Sequence, residues 1–171
     1  MEPVTDPLLQ SARFTIEKFS PEEFDSFLRL VRNERVMEKI TGSPLSMEAA
    51  RAKFHKILEH EIRYPALGCF KAMAIEDGAF MGYGKLEIRD NNPDEAEIGY
   101  LFFPEYWGKG YGSELTHVLV EYARAQQLRR LYGIIDPGNA ASRRILEKLG
   151  FVSEGPCEMD GIQGEMLGLI L

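Results

Sequence analysis

The stretch YWGKGYGSE, residues 106–114, sets Gly108, Gly110 and Gly112 two apart, directly before a run with helical periodicity. Glycine is the poorest helix-interior residue after proline, so three of them where regular structure should begin need a reason. After them, Leu115, Val118, Leu119 and Tyr122 fall at i, i+3, i+4 and i+7, with Glu114, His117, Glu121 and Arg124 on the other side. That is an amphipathic helix. Before them, Glu95 to Phe103 reads as an apolar strand, which Pro104 helps to end because it cannot donate to a continuing ladder.

A strand, a glycine loop and a helix in that order suit an anion. The first N–H groups of a helix are unpaired, the helix dipole adds partial positive charge there, and missing Cβ atoms let a phosphate approach the main chain. Spacing excludes two familiar nucleotide loops. A dinucleotide fingerprint starting at Gly108 would need glycine at 113, which is Ser113, and no G-x-x-x-x-G-K-[ST] occurs. A plain turn with one capping glycine is the alternative; three in alternation favour a pyrophosphate cradle.

Working outward, Arg13–Phe19 alternates as a half-buried strand, and Ser20-Pro21-Glu22-Glu23 starts a helix running to about Arg32. Ser46 caps a second helix over Met47–His60. Cys69–Ile75 and Ala79–Arg89 form a hairpin around Glu76-Asp77-Gly78. Downstream of the glycines come a short strand, Leu131–Ile135, and a helix, Asn139–Leu149, closed by Gly150. Phe151–Glu154 and Glu165–Leu171 supply the last strands. The order β-α-α-β-β-β-α-β-α-β-β predicts an α+β fold, a mixed, mostly antiparallel sheet flanked by helices.

With 171 residues and 44 % hydrophobic content, the chain fits one domain over 1–171, with 1–12 as an N-terminal extension. A net charge of -7 argues against nucleic acid or an anionic membrane as partner. The start MEPVTDPLLQ has no signal-peptide pattern, and no stretch approaches the roughly 20 apolar residues of a membrane span. Cys69 and Cys157 form no C-x-x-C pair and read as reduced thiols, which fits a cytoplasmic protein. His55 and His60 do not share a helix face, so no metal site is expected.

The blocks EIGYLFFPEYWGKGYGSEL (97–115) and DPGNAASRRILEKLGF (136–151) together resemble the GNAT superfamily of acetyl-CoA-dependent N-acetyltransferases. Within it they look most like the ribosomal-protein N-terminal acetyltransferases. The family's phosphate loop, [Q/R]-x-x-G-x-[G/A], is matched by Trp107 to Gly112, with Trp107 departing from the usual Gln or Arg. The resemblance implies acetyl-CoA as donor, with its pyrophosphate on Gly108, Lys109, Gly110, Tyr111, Gly112 and Ser113. It further implies that the strand through Leu101, Phe102 and Phe103 splays from its neighbour and offers main-chain groups to the pantetheine amides. Asn139 would contact the pantetheine arm, and Ser142, one turn on, the thioester sulfur. Many members carry a tyrosine acid where this chain has Leu146, which raises the weight on Ser142. Read from the residues alone, Asn139 is a helix N-cap and Ser142 a tolerated first-turn serine.

The implied reaction is direct attack of a primary amine on the thioester. Such an amine, with a pKa near 10.4, is neutral only to about one part in 10³ at pH 7, so a base helps. Glu97 is the candidate; the alternative is a solvated carboxylate at a strand end. The acceptor side should be formed by residues 33–64 and 154–165, whose acids Glu154, Glu158, Asp160 and Glu165 suggest a cationic amine. The competing expectation is a non-catalytic acyl-CoA-binding sensor, which needs the cradle but no base or sulfur donor. A monomer and a homodimer both fit.

Overall fold

The computed structural model describes residues 9–171. Most of the expected N-terminal extension, residues 1–8, lies outside the described residues. Seven strands form one sheet in the order β1-β2-β3-β4-β5-β7-β6. They are β1 Phe14–Lys18, β2 Gly68–Ala74, β3 Phe80–Glu87, β4 Glu95–Phe102, β5 Arg130–Ile135, β6 Val152–Met159 and β7 Ile162–Ile170. Every neighbouring pair is antiparallel except β4 with β5.

Helices cover both faces. On one, α4 (Tyr111–Ala125) buries Leu115, Leu119 and Tyr122 against Phe70, Ala72 and Phe102. Gly84 allows this close approach, since a Cβ there would lie 2.8 Å from Leu119. On the other face, α1 (Phe24–Val31) and α3 (Met47–Arg63) bury Phe27, Leu30, Ala50, Phe54 and Ile57 against Phe19, Tyr83 and Leu101. Leu101 and Phe102 thus serve opposite cores, as the two-residue period of a strand requires. The last helix, α5 (Ala140–Lys148), buries only Leu146.

Two elements depart from the sequence reading. A single helical turn, α2 (Glu34–Met37), follows α1, with the Asn33 side chain accepting from the Val36 N–H at 3.1 Å. One turn is too short to show a period, yet it buries Val36 and Met37 and sets the course of residues 38–42. The terminal hairpin is also longer than Phe151–Glu154 and Glu165–Leu171. It turns at Asp160-Gly161, both with positive φ (51° and 78°), a pair that suits a two-residue hairpin turn. Gly155 and Pro156 hide this extension in the sequence; they are tolerated because β6 is an edge strand with a register shift between Ser153 and Gly155.

Candidate active site

β4 and β5 pair through Glu95↔Arg130, Ala96↔Leu131 and Glu97↔Tyr132 and then part, although β4 continues to Phe102 and β5 to Ile135. Leu146 of α5 lies over the opening: a Cβ on Gly133 of β5 would sit 3.0 Å from it. β3 keeps its pairing to the far edge of β4. The Phe103 N–H donates to the Met81 carbonyl at 3.0 Å, so Phe103 and, two residues back, Leu101 address β3. By the same alternation Tyr100 and Phe102 turn their main-chain groups into the wedge. The Phe102 carbonyl is engaged there, accepting from the Trp107 indole N–H at 2.9 Å. Arg35 lies over the Trp107 ring at 5.2 Å.

The three glycines do two different things. Gly108 (φ 70°) and Gly110 (φ 83°) are left-handed, where a side chain costs roughly 1–2 kcal/mol. Gly112 is instead a packing residue; a Cβ there would lie 3.0 Å from the Tyr100 ring. No side chain caps the start of α4. The loop is held from below by Arg13 of the β1 approach, which donates to the Lys109 carbonyl (2.9 Å) and Glu114 (2.7 Å) and stacks on Tyr111 at 3.8 Å. A groove of about 660 Å³ runs past Trp107, Gly108, Gly110, Ser113, Ala141 and Ser142. An uncapped helix start, two left-handed glycines and an unpaired strand edge along one groove fit a CoA-type ligand.

A second cavity, about 390 Å³, is lined by Glu97, Lys85, Arg89 and Lys53, with the tips 38–42 and 159–164 at its rim. Tyr100, Leu101, Asn139 and Ser142 line both spaces. At that meeting point the Tyr100 hydroxyl and Ser142 Oγ are 3.2 Å apart. Burial pushes the Tyr100 phenol up, with the Ser142 hydrogen bond opposing it, so the phenol keeps its proton. Asn139 caps α5, its Oδ1 accepting from the Ser142 N–H at 3.2 Å; this fixes the rotation at which Ser142 leaves the helix.

Glu97 is not a solvated carboxylate. Its side chain is 8 % exposed, with Oε1 3.1 Å from Lys85 Nζ and Oε2 3.2 Å from Arg89 Nε. Burial pushes the Lys85 ammonium down, but Glu97 and Glu87 outweigh it and hold it above its ordinary value. The acids expected to draw in a cation are already engaged. Glu154 pairs with Arg130 at 2.5 Å, Asp160 with Arg89 at 3.7 Å and Glu165 with Arg143, while Glu158 accepts from Gln163 at 3.3 Å.

Sequence reasoning passed over Tyr100, Arg13, Lys53, Lys85 and Arg89. The last two carried a signal: Lys85, Glu87 and Arg89 alternate with Leu86 and Ile88, which sets a charged row on one face of an apolar strand. Tyr100 carries no signal of its own within the apolar strand Glu95 to Phe103, and only the fold brings α5 to it.

Residues 13–152 match the family model for the acetyltransferase (GNAT) domain. The N-acetyltransferase p20 of Bacillus licheniformis is 26% identical over 149 residues, 86% of this chain and 83% of that one. Against three Bacillus subtilis relatives, however, the chain matches only 44%, 34% and 35% of their length. Among solved structures, the ribosomal-protein-S5-alanine acetyltransferase of Vibrio fischeri superposes with a TM-score of 0.74 at 18% identity, covering 94% of both chains. An aminoglycoside acetyltransferase, AAC(6')-Ib in complex with coenzyme A, gives 0.74 at 18% identity, covering 92% of this chain and 94% of that one. Among the described residues, no helix is long and apolar enough to cross a membrane. A family match across most of the chain and a sheet split beside a glycine-lined groove agree: this protein belongs to the GNAT acetyltransferase family.

Proposed function

We propose that the protein is an N-acetyltransferase that moves an acetyl group from acetyl-CoA to a primary amine by direct attack. The observation that carries this is the meeting of groove and cavity at Tyr100 and Ser142. Bound in the groove, acetyl-CoA supplies an activated acyl thioester. Residues 108–113 offer main-chain N–H groups to its phosphates, with Gly108 and Gly110 setting the turn. Leu101 of β4 and Phe103 just past its end bond toward β3, while Tyr100 and the Phe102 N–H present the main chain to the pantetheine arm; Asn139 sets the far wall.

On the acceptor side, Glu97 takes the ammonium proton, directly or through water. Lys85 and Arg89 stand within ion-pair distance of its two oxygens, and Oε2, with no hydrogen-bond partner among the described residues, is left to take the proton. Ser142 donates a hydrogen bond to the departing sulfur while Tyr100 donates to Ser142. Tyr100 thereby stands in for the tyrosine missing at Leu146. The acids Glu154, Glu158, Asp160 and Glu165 are already partnered, so the acceptor is proposed as cationic at its amine only. The one-domain organisation and the cytoplasmic setting, with Cys69 and Cys157 as free thiols, belong to the same reading.

The experiment is to mix the protein with acetyl-CoA and pooled amines and follow thiol release. Release that depends on an amine supports transfer. Tight acetyl-CoA binding without release by any amine would favour a non-catalytic acyl-CoA sensor.

A further inference from the structure

Inside its exposed rim, the acceptor cavity holds more positive charge than its carboxylates neutralise. Lys85 and Arg89 share Glu97 and Glu87. Two carboxylates therefore answer two cations, and Asp160, which also reaches Arg89, is 82 % exposed at the rim. Lys39, Glu38 and Asp136 also line the cavity but are exposed at its rim, which leaves Lys53 as the third cation inside it. That lysine projects from α3 beside the buried row Ala50, Phe54 and Ile57. Among the described residues its ammonium makes neither an ion pair nor a hydrogen bond. Burial and then the like charge of Lys85 push it below its ordinary value, against the weaker opposite pull of Cys69, Glu87 and Glu97.

A second unanswered donor faces the same space. Tyr83 is 3 % exposed and lines the cavity. Its ring packs on Phe19 and Phe27, yet its hydroxyl has no hydrogen-bond partner among the described residues. Neither atom is sealed away: the buried side-chain atoms without a partner are His60 Nδ1 and Glu97 Oε2, so the Lys53 ammonium and the Tyr83 hydroxyl are open to a ligand in the cavity. Two such donors lining the cavity that also holds Glu97 make a receptor for an anion.

We propose that Lys53, assisted by Tyr83, binds a carboxylate carried by the acceptor itself, so that the substrate is a zwitterionic, amino-acid-sized amine. This rests on the N-acetyltransferase reading above. It divides the two ends of the substrate between opposite charges: the ammonium goes to Glu97 and the carboxylate to Lys53. Neither end alone satisfies the cavity.

The test compares the common L-amino acids with their α-amides as acceptors, by thiol release from acetyl-CoA, in the wild type, Lys53→Met, Lys53→Arg and Tyr83→Phe. A charge-assisted hydrogen bond predicts acids favoured over amides by roughly ten- to a hundredfold in kcat/KM, mostly through KM. Lys53→Met should abolish that preference and Lys53→Arg keep most of it, with Tyr83→Phe between them. Amides used as well as acids, no acid used or bound, or a preference untouched in Lys53→Met overturns the proposal. So does loss of kcat at unchanged KM in Lys53→Arg, which would make Lys53 a base. In parallel, N-acetyl amino acids and their amides are compared for thermal stabilisation of the same variants. If no amine releases thiol but N-acetyl acids still stabilise the protein through Lys53, the transfer reading fails and the anion site stands.

Discussion

Tyr100 of β4 and Ser142 of α5, 42 residues apart in sequence, meet with 3.2 Å between their hydroxyl oxygens, where the groove and the acceptor cavity join. Two features bring them together. Asn139 fixes the start of α5, and Gly112 leaves room for the Tyr100 ring on α4. A serine between a tyrosine and the groove can donate in one direction while accepting in the other.

Removing that donor should slow turnover modestly. A thiol with a pKa near 8.5 is already a fair leaving group, so Ser142→Ala should cost about 1–2 kcal/mol, roughly a five- to thirtyfold drop in kcat independent of pH. Tyr100→Phe should cost less. The double variant should match Ser142→Ala, since the tyrosine acts through the serine. Additive losses would give Tyr100 a contact of its own.

Glu97→Gln should act through the protonation of the amine. Its kcat/KM should fall strongly near pH 7 and progressively less as pH approaches the amine's own pKa. It also leaves Lys85 and Arg89 short of a counter-charge, so a lower melting temperature is expected and rates should be read well below it. A loss equal at every pH would assign Glu97 to holding those cations.

Gly110→Val forces a β-branched residue to a φ of 83° while a Cβ there meets only Arg13 Nη2, at 3.4 Å. The sheet does not depend on this position, so the variant should fold with a modest loss of stability. Stabilisation by acetyl-CoA in a thermal shift assay should disappear. Gly112→Ala should spare that stabilisation more and instead slow turnover, because it presses on Tyr100. Full acetyl-CoA stabilisation in a folded Gly110→Val would remove the loop from cofactor binding.

Acid should weaken the fold through Glu87. Burial pushes its carboxyl up, but Lys85 and Arg89 outweigh that and hold it below the ordinary carboxylate value of 4.5. A carboxyl depressed in the folded state contributes stability above its unfolded pKa and loses it as pH falls through the folded one. The denaturation midpoint should therefore decline below about pH 4.5, and Glu87→Gln should flatten the decline. Identical slopes would place the acid sensitivity elsewhere.

Local chemistry was legible in the sequence wherever one residue's covalent structure decides the outcome. Gly108 and Gly110 are required by their own backbone angles, Asn139 caps the helix it begins, and the alternation of Leu101 and Phe102 assigns each to a face. Together with hydrophobic periodicity, these dictated the order of elements and the strand–loop–helix that makes the groove. The tertiary structure alone decided which charges are spent. Nothing near Glu97 in the chain announces that Arg89 and Lys85 converge on it, or that Glu154 and Glu165 are occupied by Arg130 and Arg143. Nor does it show that Lys53, from helix α3, reaches the same cavity with no ion-pair or hydrogen-bond partner among the described residues. The reason is physical: helical and strand periods are set by bonds to near neighbours, whereas an ion pair or a shared cavity depends on distances between segments that only packing brings together.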